Sequence, residues 1–234
     1  MSAATTERDR RDGPRTEDIA RVFIRPLASV LPIGFLVFGA GAFLTAVYSL
    51  GWLPISQGRE VFELLLVFVV PVQAVAAVFA VLARDTAGGT TMGIFAATWG
   101  ALAVVSLSLP PGGTSSAVGT FLLADVVVIV VLAIASLLGN PAFSVVLAVA
   151  AARFATNGVY ELTGSTGFER ASGWIGLVLA GVAAYAGLAF LLEDAQHEPV
   201  LPFLRHGSAR RALDAELSDH LRRLESEPGV RTRL

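Results

Sequence analysis

Residues Ala171–Asp194 read ASGWIGLVLAGVAAYAGLAFLLED, with no charge before Glu193. At 1.5 Å per residue, about 20 such positions cross the roughly 30 Å hydrocarbon core of a bilayer. Small residues recur at Gly173, Gly176, Ala180, Gly181, Ala184 and Gly187. In lipid, apolar area gives helices no reason to associate, so close contact through small residues must supply one. The stretch is therefore a membrane-spanning helix made to pack against protein.

The rest of the chain agrees. Of 234 residues, 54% are hydrophobic and 15% charged, where a soluble domain carries about 25% charge. Mean hydropathy is +0.68. The fold class is all-α, a polytopic membrane protein. A net charge of −2 argues against a nucleic-acid partner. There is no Cys, hence no disulfide or thiolate nucleophile, and His197, His206 and His220 all lie beyond the last apolar run. No metal or cofactor is expected. Asp125 is the only deep acid, so no protease dyad forms and no enzyme is expected.

Six apolar spans follow one another at 29–50, 61–83, 91–109, 116–138, 141–162 and 172–192. Turn residues separate them, among them Gly51 to Gly58, Arg84 to Thr90 and Gly139-Asn140. This divides the chain into an N-terminal tail 1–26, a six-helix domain 27–203 and a C-terminal tail 204–234. The first tail holds Arg8, Arg10, Arg11, Arg15, Arg21 and Arg25, and the second holds Arg205, Arg210, Arg211, Arg222, Arg223, Arg231 and Arg233. Six spans put both tails on one side, and the positive-inside rule makes that side the cytoplasm of a multi-pass cell-membrane protein. In the second tail, Leu213, Leu217, Leu221 and Leu224 form one stripe of a short amphipathic helix.

Three phrases carry a resemblance. Gly173-Trp174-Ile175-Gly176-Leu177 continues through Ala183, Tyr185 and Glu193 to Leu201-Pro202. Pro32-Ile33-Gly34-Phe35 is followed by Phe38-Gly39. Phe79-Ala80 and Leu82 precede Gly89, Thr91, Gly93 and Trp99-Gly100. In this order the chain resembles the acetate uptake transporter family, of the succinate–acetate permease type, over roughly residues 29 to 203. The resemblance implies six helices per protomer and a homo-oligomeric ring, a hexamer. It implies a narrow path in each protomer for a small carboxylate, acetate first, pinched by bulky side chains near mid-membrane. Those positions fall on Phe38, Trp99 and Ala150, and Ala183 matches a small last-helix position linked to substrate size. Two family features are replaced. Ser29-Val30 stands where the family has Asn-Pro, and Ala77 where it has Gln, with Gln73 one turn earlier.

Arg153 is unexplained by the resemblance. It lies 13 residues after Asn140, or about 20 Å along the fifth helix. Asp125 lies 14 residues before Gly139, about 21 Å from the same turn. A lone Arg at the bilayer centre costs on the order of 3 kcal/mol, so it should face protein or a wet path. Equal depth predicts an Asp125–Arg153 ion pair. That pair either locks two helices or lets Arg153 greet a carboxylate while Asp125 limits its hold. Tyr160 reads as an interface anchor and Glu161 as an exposed acid at a loop edge.

The sequence thus predicts a transporter or channel for small monocarboxylates in the lipid bilayer. Two other readings remain open at this stage: passage of another small solute such as succinate, ammonia or a larger acid, or a membrane sensor or scaffold whose tails bind soluble partners. Channel-like and proton-coupled mechanisms are equally compatible with it.

Overall fold

The computed structural model describes residues 29–137, 141–196 and 201. Both tails, with the expected Leu213–Leu224 helix, lie outside them. Among the described residues six helices are present: α1 Leu31–Ser49, α2 Ile55–Leu82, α3 Thr86–Leu107, α4 Ser116–Leu137, α5 Pro141–Thr163 and α6 Thr166–Gln196. Each is long and apolar enough to cross a membrane, and no strand occurs among the described residues.

The ends of the helices follow from local chemistry. α1 stops because Gly51 takes φ +71. Gly51 N–H then bonds Tyr48 O at 2.9 Å and Trp52 N–H bonds Val47 O at 3.0 Å, a Schellman closure. The same closure ends α2, with Arg84 in the left-handed region at φ 61. Asp85 then caps α3, accepting from Gly88 N–H at 2.8 Å. The α2–α3 turn is therefore only three residues long, and α3 begins five residues before the predicted start. Gly88 and Gly89 are not turn residues after all. A Cβ on Gly89 would lie 3.2 Å from Val81 N, so this glycine lets α3 pass close to α2.

α2 also begins earlier than predicted. It contains a π turn, Leu65–Val69, just before Pro71. Pro71 lacks the N–H that the preceding turn needs, and the widened turn accommodates it. α6 runs for 31 residues, some ten more than its apolar stretch requires.

Apolar residues face both outward and inward on these helices, and small ones are frequent at the contacts between them. Val67, Val75, Val78, Val131, Ile134 and Val178 are exposed. Ala42, Ala76, Ala80, Ala103, Ala183 and Ala186 are buried. Water would not leave so many large apolar side chains outside. Here the outer faces meet lipid, and small residues let the helices approach. α1 packs most extensively on α6, α4 on α5 and α2 on α3. At the α1–α6 seam, a Cβ on Gly39 would lie 3.3 Å from Ala183 Cβ, and one on Gly187 would lie 2.7 Å from Leu36 Cγ. At the α4–α5 seam, Gly119 and Gly158 each face the other's carbonyl oxygen. Gly181, expected on the packing face of α6, looks onto open space.

Candidate substrate path

A cavity of about 240 Å³ opens at the end where α1 meets α2, α3 meets α4 and α5 meets α6. Tyr48, Asn157, Tyr160, Glu161 and Glu169 line its upper part, and Thr45, Trp99, Leu122, Arg153 and Phe154 its lower part. Trp52 and Trp174, 58% and 59% exposed, meet edge to face nearby with ring centroids 6.1 Å apart. Such tryptophans belong at the membrane–water boundary. Thr45 lies four residues, about 6 Å, before the end of α1.

Arg153 is 4% exposed. Its Nη1 donates to Ser172 O at 2.7 Å and its Nη2 to Thr45 Oγ1 at 2.9 Å. Thr45 in turn donates to Gly41 O at 2.8 Å. The guanidinium occupies a slot left by Gly176, where any Cβ would overlap Nη1. The Gly-Trp-Ile-Gly phrase that opens the membrane stretch is thus the wall of an arginine seat. Both acceptors are neutral, and two of the five N–H groups of the guanidinium are engaged.

The predicted Asp125–Arg153 ion pair does not form. Arg59 and Glu63, one turn apart on α2, do pair, at 2.8 Å. Asp125, 8% exposed, accepts from the Thr98 hydroxyl of α3. The residue counts placed both groups at similar depth, but depth says nothing of direction around the helix axis. Asp125 faces α3, whereas Arg153 faces α1 and α6.

Below the cavity lies a cluster of rings. Phe38 stacks on Phe95 at 4.4 Å and tilts against Trp99 at 6.0 Å. Phe95 meets Phe154 edge to face at 6.1 Å. The structure therefore brings Phe38 and Trp99 together and adds Phe95 and Phe154, which sequence reasoning missed. Phe154 adjoins Arg153 and Phe95 lies four residues before Trp99, so their helical spacing was the available signal. Deeper still, Phe35 stacks on Phe190 and meets Phe143 edge to face. Ala150 is fully buried in the same core. Ala183 sits against Gly39, the residue after Phe38, so bulk there would press on the helix that carries the ring.

Four buried polar side-chain atoms lack partners among the described residues: Trp99 Nε1, Ser172 Oγ, Gln73 Oε1 and Thr91 Oγ1. Gln73 is fully buried, its amide nitrogen 3.8 Å from Met92 Sδ. Glu161 departs from its expected role as an exposed acid. It lines the cavity and accepts from Ser115 N–H at 2.8 Å, which holds the start of α4. Tyr160 likewise lines the cavity.

A sequence model described as the GPR1/FUN34/yaaH family matches residues 13–202. No curated protein matches the chain. Among solved structures, one described as the bacterial acetate channel SatP superposes with a TM-score of 0.69 at 20% identity. The match covers 76% of this chain and 99% of that one.

Proposed function

The chain belongs to the GPR1/FUN34/yaaH family, and on that premise we propose that it passes small monocarboxylates, acetate first, across the cell membrane. The observation that carries this reading is the ring cluster of Phe38, Phe95 and Trp99 directly beneath the Arg153-lined cavity. A solute taking this path leaves water in the cavity and then meets an apolar constriction. Water and inorganic ions face a dewetting barrier there. Acetate presents a methyl group to the rings and keeps its charge on the far side. The fold shared with an acetate channel supports the same reading.

The arginine-rich tails favour a cytoplasmic location for both termini, which turns the cavity outward. A ring of six protomers, each with its own path, follows from the family resemblance. Light scattering of the purified complex would read six copies.

The test is uptake of labelled acetate into proteoliposomes holding the full-length protein. It is done near pH 8, where about all of the carboxylic acid is ionised and passive leak is small. Saturable uptake above protein-free liposomes is expected. Uptake no greater than in those liposomes refutes the proposal.

A further inference from the structure

We propose that the lower cavity is a carboxylate site in which Arg153 and the Trp99 indole N–H hold one anion, so that charge is selected before the ring cluster selects size. The inference rests on the transport reading above.

A buried ion is stabilised only when paired, and desolvation otherwise costs several kcal/mol. Arg153 is buried and has no acidic partner among the described residues. The one acid at comparable depth, Asp125, is turned to Thr98. Ser172 O and Thr45 Oγ1 fix the guanidinium in place without cancelling its charge. The cavity it lines is therefore positive at its floor.

The second observation is independent of the first. Trp99 is 2% exposed, and its Nε1 has no partner among the described residues. An indole nitrogen only donates, so it needs an acceptor. The ring lines the same cavity as Arg153. One acceptor-only guest with two oxygens answers both deficits, and a carboxylate is such a guest. Asn157, one turn beyond Arg153 and also lining the cavity, adds an amide.

Size and charge narrow the class. The volume of about 240 Å³ lies below that of cavities for drug-sized ligands, roughly 300–1,000 Å³. Leu65, Leu122 and Phe154 give the tail of the guest an apolar floor. A second carboxylate would point at that floor or at Glu161 and Glu169 near the mouth, and both disfavour it. The site suits a short monocarboxylate. Because Arg153 already spends two N–H groups on protein, the hold is loose enough for release toward the rings.

The test uses the full chain with Trp52 and Trp174 changed to Phe, leaving Trp99 as its only Trp. Acetate should change its emission saturably, and acetamide, the uncharged isostere, should not. In proteoliposomes, Arg153→Met should raise the half-saturation for acetate at least about tenfold, the worth of one charge-assisted hydrogen bond. Trp99→Phe, which keeps a ring and removes the N–H, should raise it about three- to tenfold. If Arg153→Met does not fold, Trp99→Phe and the emission titration still decide. An unchanged half-saturation, or equal effects of acetate and acetamide on emission, overturns the site while leaving transport standing. Absence of wild-type flux overturns the transport reading, and the titration then judges the site alone: a saturable response specific to acetate supports it, and none refutes it.

Discussion

Gly176→Ala is the sharpest probe of the arginine seat. A Cβ at this position overlaps Arg153 Nη1 and lies 2.9 Å from Ala46 Cβ. α1 and α6 would have to part, or the guanidinium would have to leave Ser172 O and Thr45. Losing hydrogen bonds from a buried charge costs about 1.5–3 kcal/mol each, so displacing both costs about 3–6 kcal/mol. The clash with Ala46 adds an overpacking term of about 1–3 kcal/mol that has nothing to do with Arg153. A double-mutant cycle with Arg153→Met separates the two. The assay is reversible unfolding in detergent, read by loss of helical signal. Gly176→Ala alone should lose at least about 3 kcal/mol. In the Arg153→Met background it should lose only the overpacking term, leaving a coupling of about 2 kcal/mol or more. Additive losses would refute the claim that the slot exists to seat the arginine.

Three further outcomes are expected. Trp99→Ala should widen the constriction and lower the preference for acetate over butyrate by about tenfold, measured as a ratio of uptake rates in proteoliposomes. Ala183→Leu should force α1 away from α6 at Gly39, costing about 1–3 kcal/mol in unfolding and reducing acetate flux through displacement of Phe38. Thr98→Val should cost about 1–3 kcal/mol by leaving buried Asp125 without its donor, and Asp125→Leu in the same chain should restore most of it.

The six spans were legible because a bilayer demands long apolar runs whatever the fold, and lengths near 20 residues leave little freedom. Helix ends were less legible. Gly88-Gly89 looks like a turn, yet Asp85 had already started α3, and the glycines serve close packing instead. α6 outlasts its apolar stretch because Thr166–Arg170 and Glu193–Gln196 stay helical in polar surroundings. The resemblance named Phe38 and Trp99 for one constriction, and their rings do lie against each other in the fold. The arginine seat was not legible, because one of its acceptors is a backbone carbonyl, which a sequence does not display. Another, Thr45, is 108 residues away in the chain. Residue counting gave the level of Arg153 and Asp125 along the bundle, and only the packing of Thr98, Thr45 and Ser172 gave their directions.

α6 reaches every level of the path. Glu169 stands at the cavity mouth, Ser172 holds the arginine, Ala183 backs the helix of Phe38, and Phe190 stacks beneath on Phe35. These contacts run from Glu169 to Phe190, 21 residue steps of one unbroken helix, about 32 Å of it. A continuous helix behaves as a camshaft. Each station takes its position from the same rod, so the seating of α6 at one of them sets the seating at the others. On the proposed path, the site for charge and the rings for width lean on the same rod, so a substitution along it is expected to reach both.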